Sequence, residues 1–294
     1  MSDESAVEDV VEPVVPSRQR WLVSLLRAAP DDRVVDLGCG TGASLRFLLP
    51  SLGGGLAVGL DGSAGVLAEC ARVLGTSPTP GRAELVQADL KRPVPFAAAT
   101  FDRALCHNVL EALPEPEALL AEVHRILRPG GRLLLSHSDY DTLVFASDDL
   151  ALTRRLVHAY CDTQQGWMDA VDGTIGRRLA DVVGRSPLAV LDAHASVVVS
   201  RRFRPGELGH AYAHHLVGVL RRTGAFSAPE LDAWLDGLRR LDDRGAFLFS
   251  LNDYAVVCER PVGADSRRYS RPASAGRGSM AVWPPSTTTT DPVT

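Results

Sequence analysis

Short apolar runs alternate with amphipathic stretches along the first half of the chain. The runs are continuous and four to six residues long, which is typical of strands buried on both faces of a parallel sheet. They are Val34–Leu37, Leu56–Leu60, Ala83–Gln87, Arg103–Cys106 and Arg132–Leu135. Between them, helical periodicity predicts helices near residues 43–50, 63–74 and 115–127. Strands that alternate with helices in this way predict a doubly wound α/β domain.

Longer elements are predicted in the second half of the chain. Helices are expected at about residues 148–165, 175–184, 206–223 and 228–241, and strands at about 189–202 and 247–258. These two late strands could form a hairpin-like edge on the sheet, with the helices between them as an insertion. We therefore expect lid elements at about residues 148–185 and 205–242.

Composition and charge narrow the class of protein. The chain of 294 residues is 45% hydrophobic and 23% charged, which is ordinary for a soluble globular enzyme. A net charge of −5 offers no basic surface for nucleic acid, and neither a secretory signal nor a membrane span is visible. The five cysteines match no zinc or disulfide pattern, which favours reduced thiols in a cytoplasmic protein. We expect disorder in residues 1–12 and 262–294, and one domain over residues 13–261.

A glycine-rich loop, Asp36 to Gly42, lies between the first strand and the first helix. Its glycines allow a tight turn and let a ligand approach the main chain. The spacing is G-x-G-x-G rather than the dinucleotide pattern G-x-G-x-x-G, and the loop has no basic residue for a phosphate. This loop favours a neutral or zwitterionic ligand lying across backbone groups.

Carboxylates at the next two strand ends extend this site. Asp61 ends the second strand, where its two oxygens can accept both hydroxyls of a ribose, although this feature alone also fits NAD. Asp89 follows the third strand and could accept the exocyclic amine of an adenine. Phe101-Asp102-Arg103-Ala104 then opens the fourth strand, and the segment 127–133 turns a helix into the fifth.

Together these motifs resemble, in order and spacing, those of the class I methyltransferases that depend on S-adenosylmethionine (SAM). The resemblance covers roughly residues 15–145 by motif and reaches about residue 260 by topology. It implies a Rossmann-like, doubly wound, mostly parallel seven-stranded sheet with an antiparallel last strand and a helical lid. It also implies SAM as cofactor, a small-molecule acceptor, and a monomer or homodimer. Cofactor binding would fall to Asp36, Gly38, Cys39, Gly40, Gly42, Asp61, Gly62, Ser63, Ala88, Asp89, Leu90, Cys106 and His107.

The acceptor should bind just past the strand ends, where ligands of open α/β sheets lie. His107 stands where this family often carries a polar residue above the methyl, and it either takes a proton from the acceptor or only contacts the cofactor. The segment 136–142 is similar to an acidic-aromatic segment of some bacterial natural-product N-methyltransferases. It would hold a cationic amine, or else a carboxylate there would cap the next helix. The candidates are His107, Tyr140 and Asp139 for catalysis, and Asn108, His137, Asp139, Tyr140, Trp167, Tyr212 and Asn252 for acceptor binding.

Several functions remain compatible with these residues. N-methylation of a secondary-metabolite amine is the favoured prediction. C-methylation of an electron-rich ring such as indole, or O-methylation, are the alternatives. A nucleic-acid methyltransferase is disfavoured by the acidic charge and because Cys106-His107-Asn108-Val109 replaces the Asn-Pro-Pro-Tyr type of motif. A SAM-binding regulatory subunit without catalysis is a further alternative. No metal site is predicted, since the pair His210 and His214 lacks a third ligand.

Overall fold

Strands and helices alternate along the residues that the computed structural model describes, which are 15–75, 81–164, 166, 168 and 173–263. The helices are α1 Pro16–Leu26, α2 Ala43–Leu48, α3 Ala64–Gly75, α4 Pro116–Ile126, α5 Leu150–Cys161, α6 Ile175–Gly184, α7 Leu208–Thr223 and α8 Ala228–Asp243. The strands are β1 Arg33–Leu37, β2 Leu56–Asp61, β3 Arg82–Gln87, β4 Phe101–His107, β5 Leu127–Phe145, β6 Ala189–Ser200 and β7 Phe249–Glu259.

These seven strands form one sheet in the order β3-β2-β1-β4-β5-β7-β6. Neighbours from β3 to β5 pair in parallel, whereas β7 runs antiparallel to both β5 and β6. The central strand β1 is buried on both faces because its side chains Val34 and Val35 are both apolar. The predicted fold class is therefore confirmed, including the late strands β6 and β7 as an edge with helices between them.

The lid helices share a hydrophobic core of their own. Residues of α5, α7 and α8 pack together with the end of β5 and with β7. Phe145 of β5 contacts the ring of Trp234 of α8 edge-on, with ring centroids 5.2 Å apart. The Trp234 indole also donates a hydrogen bond to Thr153 Oγ1 of α5 at 2.9 Å. This packing holds the helices predicted as a lid against the carboxyl end of the sheet, where the ligands are expected to bind.

One segment differs from its prediction. Residues 136–142 were expected just past the end of the fifth strand, but they lie inside β5. The reason is that β5 extends beyond the end of β4. The pairing of these two strands ends at His107 and Ser136, whereas β5 continues to pair with β7 as far as Phe145. As a result His137, Ser138 and Asp139 are completely buried.

Some predictions fall outside the described residues. Residues 1–12, residues 264–294 and Trp167 belong to this group, so their predicted disorder and the predicted acceptor contact stay predictions. In the part of the chain that the structure describes, no helix is long and apolar enough to cross a membrane.

Candidate functional site

The glycine loop turns sharply between β1 and α2. Gly38, Gly40 and Gly42 all have positive φ angles, of 74°, 54° and 82°. A Cβ at Gly38 would lie 2.4 Å from a methyl of Val109, and one at Gly42 would lie 2.6 Å from the sulfur of Cys70. A Cβ at Gly40 would meet no described atom within 4 Å. The loop is thus packed beneath Gly38 and Gly42 and open above Gly40, which leaves main chain accessible to a ligand.

Asp36 lies below this loop with an unusual electrostatic state. Its side chain is buried, and its Oδ2 atom accepts no hydrogen bond from any described residue. Burial, together with the nearby charge of Asp61, raises the pKa of Asp36 to about 7. A buried carboxylate without a partner favours a cation beside it. The site therefore suits the ammonium of an amino-acid moiety at this position.

Asp61 links the glycine loop to the next predicted contact. One of its oxygens accepts a hydrogen bond from the Gly40 amide at 3.1 Å, and the other accepts one from the Ser63 amide at 3.0 Å. The carbonyl of Asp61 accepts a hydrogen bond from the Ala88 amide at 3.0 Å. The predicted cofactor residues that follow β1, β2 and β3 thus meet at the carboxyl end of these parallel strands.

The residues after β3 are more exposed. One carboxylate oxygen of Asp89 accepts a hydrogen bond from the Lys91 amide at 2.9 Å, and the Asp89 side chain is 52% exposed. Leu90 is partly buried and packs against the core below the sheet edge. The other oxygen of Asp89 lies 3.7 Å from Arg92 Nε, so an exposed carboxylate and an apolar surface adjoin where adenine is predicted to bind.

Two cysteines near the loop are neutral thiols. Burial raises the pKa of Cys106 far above its ordinary value. Contact with the Cys70 thiol, followed by burial, raises the pKa of Cys39 as well. Neither is therefore a thiolate nucleophile. Both contribute packing beneath the predicted cofactor.

His107 ends β4 at the same edge and is half-buried. Neither of its ring nitrogens has a hydrogen-bond partner among the described residues. Burial, followed by the charges of Arg18 and His137, holds the pKa of His107 well below its ordinary value. The ring is therefore uncharged at neutral pH. It is a weak base, but it can still form hydrogen bonds with a bound molecule. This favours the contact role of the two roles that the sequence left open.

Asn108 adopts a left-handed backbone conformation, with φ 53°, and its side chain faces the protein. Its Oδ1 atom accepts a hydrogen bond from the Ser138 amide at 2.8 Å. The Ser138 hydroxyl donates to Asp253 at 2.6 Å, and Arg18 of α1 donates to the other oxygen of Asp253 at 2.8 Å. Asn108 therefore shapes the turn after β4. No sequence pattern pointed to Arg18 or Asp253, which are far apart along the chain.

Three tyrosines and a carboxylate lie where the lid meets the sheet. Tyr140 donates a hydrogen bond to Glu111 at 3.2 Å, and the other oxygen of Glu111 lies 3.4 Å from His137 Nε2. The Tyr140 ring lies 5.8 Å from the ring of Tyr160 and 6.2 Å from that of Tyr212. We call these five residues the tyrosine enclosure. Tyr140, His137 and Tyr212 were predicted here, whereas Tyr160 was not.

Asp139 has a different environment from the predicted one. Both of its oxygens accept hydrogen bonds from the Arg177 guanidinium, at 2.6 and 2.7 Å, and its side chain is completely buried. Asn252 pairs with Asp139 across the β5–β7 ladder, so the two lie on the same face. After Asp139 the register of β5 with β7 shifts, and the Tyr140 ring packs in the hydrophobic core formed with α5 and α7. Asp139 and Tyr140 therefore do not form the acidic-aromatic pair expected from the sequence.

Within the described residues, no group of three or more His, Cys, Asp or Glu side chains could hold a metal ion.

Comparison with known proteins agrees with this geometry. A family model described as a methyltransferase domain matches residues 35–135. A 2-phytyl-1,4-naphtoquinone methyltransferase of Synechococcus elongatus is 32% identical over 167 residues, which are 52% of this chain and 68% of that protein. A transposon-encoded 37.1 kDa protein of Streptomyces fradiae is 29% identical over 271 residues, or 87% of this chain and 73% of that one.

Further relatives are similar over less of their length. A trans-aconitate 2-methyltransferase of Azoarcus is 38% identical over 121 residues, so this chain spans 45% of that protein. Among solved structures, the YcgJ protein of Bacillus subtilis has a TM-score of 0.53 at 16% identity, covering 84% of this chain and 100% of that one. This likeness concerns the fold alone.

Proposed function

The chain belongs to the class I SAM-dependent methyltransferases, and from this premise we propose that it methylates the nitrogen of a small-molecule amine of secondary metabolism. The observation that carries this proposal is the tyrosine enclosure, in which Tyr140 donates a hydrogen bond to Glu111 while its ring packs near those of Tyr160 and Tyr212. Aromatic faces and a carboxylate together attract a cationic amine through charge and cation–π contact.

The cofactor fits the residues at the sheet edge. Asp36 has an unpartnered oxygen suited to the ammonium of SAM, and the open face above Gly40 leaves room for its methionine part. We assign Asp61 to the ribose and Asp89 to the adenine. When bound, SAM supplies a methyl group on a sulfonium, which is a good leaving group. The task of the protein is then to hold the acceptor in line and to exclude water.

An amine must give up a proton before its lone pair can attack. Glu111 and His137, 3.4 Å apart, offer a pair of groups that can receive that proton inside the enclosure. His107 lies next to them in the sheet, because it pairs with Ser136 of β5. Its lowered pKa suits a neutral hydrogen-bonding contact to the acceptor. We therefore assign His107 to orientation and Glu111 with His137 to proton acceptance.

A second candidate is C-methylation of an aromatic ring. The curated relative at 32% identity is named for a naphthoquinone, and the enclosure has tyrosine walls that could stack on such a ring. In this alternative the carboxylate of Glu111 would have no cation to bind. The two candidates therefore differ in how strongly they depend on Glu111.

The test is methyl transfer from SAM to a panel of amines, indoles, naphthoquinols and carboxylic acids. We expect Glu111→Gln to lower kcat/KM for amines by at least about tenfold, with SAM affinity unchanged, because a charge contact of about 1.5–3 kcal/mol is lost. Asp141→Asn is the matched control, since Asp141 lies next to Tyr140 on β5 but pairs with Arg177 outside the enclosure. Undiminished amine turnover in Glu111→Gln contradicts the amine proposal, and ring methylation in its place supports the second candidate.

Binding and catalysis are separated by calorimetry. If SAM binds but no member of the panel is methylated, a regulatory role without catalysis gains support. A protein that does not bind SAM contradicts the assignment of Asp36, Asp61 and Asp89 to the cofactor.

A further inference from the structure

The strand β6 forms one end of the sheet. The strand order ends with β6, so its outer edge pairs with no other strand in the part of the chain that the structure describes. Its register with β7 shifts between Val190 and Asp192 and then runs regularly from Asp192 to Ser200. A regular edge of nine residues presents a row of backbone donors and acceptors to any strand that approaches it.

The side chains on this edge are unusually apolar for exposed positions. Val197 and Val199 are 58% and 53% exposed. Val144 of β5 pairs with Ser250 of β7, which in turn pairs with Val199, so Val144 belongs to the same face. Val144 is 51% exposed and the nearby Leu248 is 41% exposed. The result is an apolar surface that continues from the edge strand towards β5.

Devices that usually keep edge strands from pairing are scarce in β6. Such strands are commonly protected by lysines, prolines, inward-pointing charges or β-bulges, and the register shift of β6 lies before its regular segment. Between Asp192 and Ser200 the sequence contains neither proline nor lysine, and Asp192 is its one carboxylate. The regular segment of β6 therefore has few features that would prevent another strand from pairing with it.

We propose that this edge pairs with the same edge of a second copy of the chain, antiparallel about a two-fold axis at Ser196. Ser196 is the midpoint of the regular segment from Asp192 to Ser200, so this register uses all nine residues of both copies. It places Ala193 opposite Val199 of the second copy, and Ala195 opposite its Val197. Each exposed valine thus meets a small alanine, a self-complementary fit that a two-fold interface requires.

A second copy explains this edge better than an unrelated strand. Two-fold pairing closes on itself and leaves neither β6 edge free, whereas pairing with other strands would leave the valines without selected partners. It would join the two seven-stranded sheets into one continuous sheet. The competing occupant is the C-terminal segment of the same chain, residues 264–294, which follows β7.

The first experiment measures molar mass by size-exclusion chromatography with light scattering. We expect the full chain to elute at about 63 kDa, twice the monomer mass of 31.5 kDa. Val197→Lys should halve the mass, because its charge would be buried against the second copy, and SAM affinity should not change. Ala68→Lys is the matched control, since Ala68 is exposed on α3 at the opposite end of the sheet. A monomeric full chain, or a dimeric Val197→Lys protein, overturns the proposal.

The second experiment fixes the register. Directly opposed strand residues have Cα atoms about 4.5–5.5 Å apart, which suits a disulfide. Under mild oxidation Ser196→Cys should form a cross-linked dimer, because Ser196 opposes itself across the two-fold axis. Ala195→Cys and Val197→Cys should cross-link much less, and the five native cysteines are buried. A dimer without a cross-link at Ser196 overturns the register, and a monomer with no cross-link at any of the three positions overturns the pairing itself.

Discussion

Asp36 lowers the stability of the folded protein near neutral pH, at the position where we propose that the ammonium of SAM binds. Its carboxylate is buried beside the glycine loop, and its pKa is raised to about 7 from an ordinary value of 3.8. A raised folded-state pKa means that the folded protein prefers the protonated acid. Stability is therefore greatest below pH 3.8 as far as this residue is concerned, and it is lost as pH rises towards 7. A bound ammonium would restore that loss by pairing with the charge.

Replacing Asp36 with asparagine should separate the two effects. Without SAM, we expect Asp36→Asn to be more stable than the wild type at about pH 8 and nearly equal to it at about pH 4. The gain has an upper bound of about 4 kcal/mol, because each unit of pKa shift corresponds to about 1.4 kcal/mol. Affinity for SAM should fall, since the ammonium loses its counter-charge. Urea unfolding at the two pH values and calorimetry with SAM measure these changes, and equal stability at pH 8 would contradict the explanation.

The predicted carboxylate of the acceptor site illustrates the limit of local sequence patterns. Asp139 and Tyr140 are adjacent in sequence, which made them look like one recognition element. The register of β5 shifts after Asp139, and Asp139 pairs with Arg177 while Tyr140 joins Glu111. Glu111 follows the fourth strand, where acceptor residues were sought, but nothing in the sequence places it beside Tyr140.

The helix α1 depends on polar contacts to hold its position on the sheet. Arg18 forms an ion pair with Asp253 of β7, and both side chains are almost completely buried, at 1% and 0% exposure. One residue along the helix, Gln19 accepts a hydrogen bond from Ser44 of α2 at 2.9 Å. The same Asp253 orients Ser138, which in turn holds the turn at Asn108. The position of α1 is therefore coupled to the end of β4.

Breaking this ion pair should be costly because it leaves a charge buried. We expect Asp253→Asn to lower the free energy of unfolding by about 3–5 kcal/mol, as is usual when one partner of a buried pair is removed. In a double-mutant cycle of the wild type, Arg18→Met, Asp253→Leu and both together, the double variant should lose less than the sum of these two single variants. Urea unfolding of the four proteins gives this coupling energy. Additive losses would show that the two residues act independently.

Element boundaries could be predicted where apolar periodicity was clear. The helix α4 was expected at 115–127 and α6 at 175–184, and both lie within one residue of those bounds. By contrast, α1 was not predicted, because its buried face includes Arg18 and Gln19, whose polarity hides the helical pattern. The polar end of β5 was missed for the same reason. Polar residues that are buried in a network look like loop residues when only the sequence is read.

At the scale of the whole molecule, partly buried histidines contribute to the response to acid. Five histidines have a pKa lowered mainly by burial: His107, His124, His210, His214 and His215. The unfolded chain takes up protons on these residues below about pH 6.5, and the folded chain does not. Stability from these groups is therefore complete above that pH and is lost as pH falls. Asp36 acts in the opposite direction between pH 3.8 and about 7 and offsets one of the five protons.

The helix α7 carries three of these histidines, and the lowered pKa of His215 is the one that can be tested best. Burial, followed by the charge of Arg222, lowers the pKa of His215 to about 4, and its ring packs edge-on against Tyr160 at 5.7 Å. His215→Phe keeps an aromatic ring but cannot take up the proton. We expect this variant to lose less stability than the wild type between pH 7 and pH 4, by roughly 3 kcal/mol at most. His158→Phe is the control, because the side chain of His158 is 65% exposed on α5. Thermal unfolding across this pH range measures both variants. If His215→Phe and the wild type lose stability in parallel, proton uptake by His215 does not contribute to acid unfolding of the lid.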